Sequence, residues 1–301
     1  MKTLILGAGG VGGYLGARLL RADASEVALV ARGAHLAAIR ERGLRIVEDE
    51  ESYTVHPDYA VDDPSSLGIY DLIFVSVKST SLGKSLPLIS KNIGPNTVII
   101  PLLNGVDHDR YIREYYPQAD VFNGCIYILS NIVEAGVIRK KGKIFNLCWG
   151  RESFDPQAYR PITELFDRAG LRHKATPAIE YEVWRKFLFI SPMAALTTLY
   201  DIPMDRVLAE HEEEFVGMLE ELVALAQARH IPIGAKELEQ TLQRARKTLP
   251  GAKTSMQLDR EQGKETEVET LVGHIVREGE RLGIPTPIYR RIYEALTKES
   301  Q

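Results

Sequence analysis

One stretch limits what this chain can fold into more than any other: residues 3–13, Thr-Leu-Ile-Leu-Gly-Ala-Gly-Gly-Val-Gly-Gly. An apolar strand over residues 4–6 runs straight into glycines at 7, 9 and 12. A helical pattern follows at once, carried by Val11, Leu15, Ala17, Leu19 and Leu20. In a strand–turn–helix of this kind Gly7 allows the tight bend and Gly9 lets a pyrophosphate reach the backbone. Gly12 lets the helix lie close to the strand. The unsatisfied N–H groups at the helix start then face an anion. A glycine turn without a ligand needs none of this context, and a second apolar strand over residues 27–31 comes at the expected distance. The pattern predicts a dinucleotide site, with Gly7, Gly9, Gly10, Val11 and Gly12 around the phosphates.

The residue beyond the second strand selects the dinucleotide. An acidic side chain there accepts the ribose 2′-OH of NAD. Here the strand ends Val30-Ala31-Arg32-Gly33. A carboxylate repels a 2′-phosphate, whereas a guanidinium binds it bidentately. The expected cofactor is therefore NADPH, held in part by Arg32. Lys78 follows the buried strand predicted over residues 71–77, and Asn104-Gly105 follows the one over 97–100. Ligands of open α/β sheets bind beyond the carboxyl ends of strands, so both positions are candidates. Lys78 also reads as an ordinary strand-end lysine, and Asn104-Gly105 as a simple turn.

The first half alternates strands and helices, the pattern of a parallel sheet covered on both faces. Residues 44–47 and 53–55 read as a hairpin inserted into it. Residues 121–129 read as a strand, and 137–139 and 143–149 as two strands pairing across Lys140-Lys141-Gly142. Beyond about Thr176-Pro177 only helical periodicity remains. Helices are expected over residues 183–199, 205–229, 235–248, 267–282 and from 288. The fold class is thus α/β, a Rossmann-type doubly wound sheet over residues 1–175 followed by an all-helical substrate or dimerisation domain over 176–301. The apolar helices of that second half are compatible with a homodimer.

Composition narrows the function classes. A net charge of −4 over 301 residues gives no general attraction to nucleic acid or acidic membranes. No apolar run is long enough to span a bilayer. The chain enters a strand at once, which leaves no room for a signal peptide. Cys125 and Cys148 lie in apolar stretches and read as buried thiols of a cytoplasmic protein. The seven histidines lack ligand spacing, so no metal is expected.

Together these pieces resemble the ketopantoate reductase family, and the resemblance covers nearly the whole chain. It rests on Gly7-Ala8-Gly9-Gly10-Val11-Gly12 with Arg32, on Ser76-Val77-Lys78 and on Leu103-Asn104-Gly105. In the helical half it continues in Trp184-Arg185-Lys186, Ser255-Met256 and Thr266-Glu267-Val268-Glu269. The resemblance implies a Rossmann domain and a helical domain with the active site in the cleft. It also implies reduction of 2-dehydropantoate (ketopantoate) to pantoate with NADPH, a step of pantothenate and coenzyme A biosynthesis. Lys186 matches the catalytic lysine, Glu267 the acid that holds the substrate hydroxyl, and Ser255 the serine that binds its carboxylate. Asn104 matches an asparagine near the nicotinamide and the lysine, and Lys78 a cofactor-side lysine. Some members carry asparagines one and two helical turns beyond the lysine, where this chain has Ile190 and Ala194.

Hydride addition to a ketone leaves charge on oxygen that a nearby acid must meet. Lys186 is both cation and acid, and the partner that the resemblance implies is a small 2-oxo acid. Thr266-Glu267-Val268-Glu269 also reads as a capping box with Thr266 as N-cap, and Ser255 as an N-cap serine. Two alternatives accompany the first reading: a reductase of another branched or aromatic 2-oxo acid, suggested by Ile190 and Ala194, and a regulator that senses NADPH without turnover.

Overall fold

The computed structural model describes residues 1–22 and 26–298. It divides into two compact units, Met1–Leu103 with Asp107–Ile179, and Asn104–Val106 with Glu180–Gln301.

The first unit is built on a six-stranded parallel sheet. Its strands are β1 (Lys2–Leu6), β2 (Glu26–Val30), β5 (Tyr59–Val61), β6 (Leu72–Val75), β7 (Val98–Pro101) and β8 (Asp120–Val121). They lie in the order β5-β2-β1-β6-β7-β8, the arrangement of a doubly wound dinucleotide fold. Alternate residues of each strand feed opposite cores, which is why the strands read as unbroken apolar runs. Ile5, Leu29, Phe74 and Ile100 enter one core, under α1 (Gly10–Arg21) and α5 (Arg160–Arg168). Leu4, Leu6, Val30, Ile73 and Val75 enter the other. There they meet Leu82 of α3 (Leu82–Ser85) and Ile112 of α4 (His108–Tyr115). The remaining helix of this half, α2 (Gly33–Arg42), follows β2. Strand β5, which the sequence reading passed over, is three residues long and partly exposed.

A second sheet contains β3 (Leu44–Val47), β4 (Ser52–Val55), β9 (Asn123–Glu134), β10 (Val137–Gly150) and β11 (His173–Ala175). The expected β3–β4 hairpin forms, with Leu44 opposite Val55. The expected turn at Lys140-Lys141-Gly142 does not. Strand β10 runs through it and pairs antiparallel with β9 across a two-residue turn at Ala135-Gly136. The polar stretch is a register irregularity between Lys140 and Phe145, where Gly142 takes a φ of +64°. Cys125 and Cys148 are buried thiols opposite one another in this pairing.

The second unit is helical: α6 (Ile179–Tyr200), α7 (Met204–Ala228), α8 (Ala235–Ala245), α9 (Ser255–Glu261), α10 (His274–Leu282) and α11 (Pro287–Lys298). A π turn, Glu269–Gly273, leads directly into α10. No single helix among the described residues is long and apolar enough to cross a membrane.

Candidate functional site

The glycine turn is shaped by contacts that admit no side chain. Gly7 leaves β1 at a φ of +102°, a conformation that favours glycine, and its N–H and that of Ala8 donate to the Val30 carbonyl at 3.2 and 2.8 Å. A Cβ on Gly12 would strike the Gly7 carbonyl, Ser76 Oγ and Ile5, so α1 is pressed onto β1 as the motif requires. Ser76 donates to the Gly7 carbonyl at 2.9 Å and fixes the bend from below. By contrast a Cβ on Gly9 would meet nothing within 4 Å. Gly9 is the N-cap of α1 and no side chain caps that helix. Its first N–H groups thus lack a side-chain cap, and Gly9 leaves room for a pyrophosphate to approach the backbone.

Two cations stand along the same carboxyl edge of the sheet. Arg32 follows β2, is exposed, and begins α2 in extended conformation. Lys78 follows β6 and is exposed, its carbonyl accepting the Ser81 N–H at 2.9 Å. The turn, its open backbone at Gly9 and these two side chains fit a dinucleotide.

The second group lies within the helical unit, which includes Asn104. Lys186, on α6, is buried. Its Nζ donates to Asn104 Oδ1 at 3.0 Å, and Asn104 Nδ2 donates to Glu267 Oε2 at 3.4 Å. Glu267 is also buried. The amide orientation is set by its neighbours: flipped, it would turn a donor to the ammonium and an acceptor to the carboxylate. A buried ammonium is costly unless paired, and Asn104 bridges it to an anion. Residues 104, 186 and 267, far apart in sequence, thus form one hydrogen-bonded chain.

The segment holding Glu267 differs from the capping-box expectation. The Glu269 carboxylate turns outward, accepting from Arg277 Nη1 at 2.7 Å and from the Tyr293 hydroxyl. The helix starts through the π turn, with the Glu267 carbonyl accepting from Thr270 and Leu271 at 3.1 and 2.9 Å. Such π turns are frequent at functional sites. The turn is tied to α6 by Ser191, whose hydroxyl donates to the Leu271 carbonyl at 2.6 Å. Since that hydroxyl proton is spent, the Tyr289 hydroxyl, 2.6 Å away, donates to Ser191. Sequence reasoning missed Ser191 and Tyr289, because no spacing rule connects a helix-interior serine to a carbonyl 80 residues on.

Ser255 is not an N-cap. Thr254 holds that position, its hydroxyl accepting the Gln257 N–H at 3.3 Å, and Ser255 is the exposed first residue of α9. No hydrogen bond among the described residues joins Ser255 to the Lys186–Asn104–Glu267 chain. Ile190, one helical turn beyond Lys186, is half-buried, and Ala194 is buried.

Comparison with known proteins finds a family match over both halves of the chain. The family profile "Ketopantoate reductase PanE/ApbA" matches residues 3–150, and "Ketopantoate reductase PanE/ApbA C terminal" matches residues 178–300. An uncharacterized oxidoreductase of Bacillus subtilis, YkpB, is 26% identical over 299 residues, covering 98% of each chain. The crystal structure of 2-dehydropantoate 2-reductase from Porphyromonas gingivalis W83 superimposes with a TM-score of 0.85 at 33% identity, covering 99% of each chain. A ternary structure of D-mandelate dehydrogenase with NADH and anilino(oxo)acetate shares the fold, with a TM-score of 0.90 at 22% identity over 100% of this chain and 98% of that one. A parallel sheet in dinucleotide order, a helical second unit and a match to both family profiles together place this chain in the ketopantoate reductase family of oxidoreductases.

Proposed function

We propose that this protein reduces a 2-oxo acid with NADPH, and that ketopantoate, giving pantoate for pantothenate synthesis, is its first candidate substrate. The observation that carries the reading is the Lys186–Asn104–Glu267 chain, an acid held beside a carboxylate in the unit that follows a dinucleotide-type sheet.

NADPH supplies the hydride. The chain's own residues do the rest. The glycine turn and Lys78 hold the pyrophosphate, and Arg32 takes the 2′-phosphate. Lys186 donates a proton from Nζ to the oxygen that becomes the alcohol. A positioned general acid of this kind contributes about 10²–10⁴-fold. Asn104 keeps Nζ in place through Oδ1. Glu267 receives a substrate hydroxyl, and Ser255 meets the carboxylate end.

A second reading is favoured by one observation. Ile190, on the Lys186 face of α6, is half-buried and apolar, and Ala194 follows it one turn on. Such a face suits a branched or aromatic 2-oxo acid better than a hydroxylated one. NADPH oxidation measured with ketopantoate and with branched and aromatic 2-oxo acids separates the two. The highest kcat/KM on ketopantoate supports the first reading, and activity confined to the others supports the second. Tight NADPH binding without turnover on any of them contradicts both and leaves a sensor.

A further inference from the structure

His35, on α2, bridges two parts of the first unit that are distant in sequence. Its Nε2 lies 2.9 Å from the Ala8 carbonyl oxygen. Its Nδ1 accepts the Gly136 N–H at 3.0 Å. These two contacts fix the tautomer. A backbone N–H only donates, so Nδ1 carries no proton, and a carbonyl only accepts, so Nε2 carries one. Both bonds coexist only in the neutral ring. Burial pushes the ring's pKa below its ordinary value, against the opposing pull of the Ala8 carbonyl, and so favours that form.

The bond to Ala8 matters because of where its carbonyl sits. The Ala8 C=O and the Gly9 N–H belong to one planar peptide and point to opposite edges of it. The two preceding peptides, Leu6–Gly7 and Gly7–Ala8, are held by Val30, through the Gly7 and Ala8 N–H groups. The Gly9 carbonyl accepts the Gly13 N–H at 2.8 Å and opens α1. Between these two anchors, the Ala8–Gly9 plane takes its orientation from His35. An added Cβ at Gly9 would meet nothing within 4 Å, so the backbone there is open to an approaching ligand, and the plane that His35 holds is the one that carries the Gly9 N–H.

The other end of the bridge is the turn of the β9–β10 hairpin. Gly136, at a φ of +80°, is pressed against Ala38 of the same helix, and its carbonyl accepts the Arg45 N–H at 2.9 Å. The same hairpin also closes on the glycine turn directly. A Cβ on Gly10 would lie 2.5 Å from the Ser130 carbonyl oxygen and 2.8 Å from Asn131 Cα. The hairpin thus backs the turn twice, once through Gly10 and once through His35.

We propose that His35 is a positioning residue for the cofactor: it presets the Ala8–Gly9 peptide so that the Gly9 N–H is aimed at the pyrophosphate before the dinucleotide arrives. This rests on the NADPH reading above. Preorganisation of this kind raises affinity by removing an ordering cost at binding.

The test compares His35→Ala, His35→Phe and His35→Gln with wild type, using two probes on the full chain. One is NADPH; the other is adenosine 2′-phosphate, which offers the Arg32 group but no pyrophosphate. A glutamine amide presents a donor and an acceptor about as far apart as the two ring nitrogens, so it can replace both bonds. The expected result is an NADPH Kd raised about tenfold in the alanine and phenylalanine proteins, the scale of one lost hydrogen bond. Adenosine 2′-phosphate should bind as in wild type, and glutamine should recover most of the NADPH affinity. Unchanged NADPH affinity in His35→Ala overturns the inference. So does equal weakening of both probes, or a glutamine protein no better than the phenylalanine one. A wild-type chain that binds neither NADPH nor NADH overturns the cofactor reading, and this inference with it.

Discussion

The two candidate regions are built by opposite means. The glycine turn is made of backbone within one short stretch: a positive φ at Gly7, a close approach at Gly12, and open space over Gly9. The lysine site is made of side chains from three segments, residues 104, 186 and 267, joined by two hydrogen bonds. The first is robust to most side-chain changes and sensitive to added bulk. The second depends on three particular functional groups. Binding and chemistry should therefore come apart under mutation, and each variant below asks whether they do.

Lys186→Ala should have the largest effect, a fall in kcat of about 10²–10⁴-fold, with the NADPH Kd unchanged. Steady-state turnover and fluorescence titration on the same preparation check both halves. A matched loss of NADPH affinity would mean that the two regions are not separable. Arg32→Ala should do the reverse. Losing a charged hydrogen bond worth roughly 1.5–3 kcal/mol weakens NADPH by about 10–150-fold. NADH affinity and the kcat at saturating NADPH should stay as they are. An unchanged ratio of NADPH to NADH affinity would remove Arg32 from the site.

Glu267→Ala should raise KM for a hydroxylated 2-oxo acid by about tenfold, the lower end of the charged range, and do less to an apolar one. Equal KM changes for the two substrate kinds would return Glu267 to a purely structural place beside Asn104. The smallest effect concerns α9. Thr254→Ala should cost about 1 kcal/mol of stability in denaturant unfolding, the usual worth of an N-cap. Ser255→Ala should leave stability near wild type and change only the substrate KM. The opposite pattern would make Ser255 the structural residue of the pair.

The same contrast explains what was legible in the sequence. The parallel sheet was readable because both faces of its strands are buried, which turns 4–6 and 72–75 into unbroken apolar runs. The turn was readable because its geometry admits few residues other than glycine. Short-range polarity misled at Lys140-Lys141-Gly142, which looks like a turn but lies within a continuous strand. The turn of that hairpin is Ala135-Gly136, where Gly136 supplies the positive φ. The Thr266–Glu269 capping box failed for a longer-range reason: Arg277 and Tyr293 draw the Glu269 carboxylate away from the helix start.

Of the lysine site, Lys186 and Glu267 were singled out only through the family resemblance, whereas Asn104 also stood out by its place beyond a strand end. Nothing in the local sequence of Lys186, between Arg185 and an apolar run, separates it from a surface lysine. Its burial and its bond to Asn104 are long-range facts. The supporting contacts, Ser191 with Leu271 and Tyr289, and His35 with Ala8 and Gly136, likewise join residues 27 to 101 positions apart. Local rules describe backbone turns; they do not describe which side chains meet.

The most direct measurement follows the hydride itself. NADPH carrying deuterium at carbon 4 of its nicotinamide, on the transferring face, is incubated with the protein and the best 2-oxo acid, and the product is read by mass spectrometry and NMR. The account predicts one deuterium at carbon 2 of the hydroxy acid, formed by wild type at a rate that Lys186→Ala lowers at least a hundredfold, within the range of a lost general acid. Labelled product formed equally fast by Lys186→Ala, or none from wild type that binds NADPH, would contradict it.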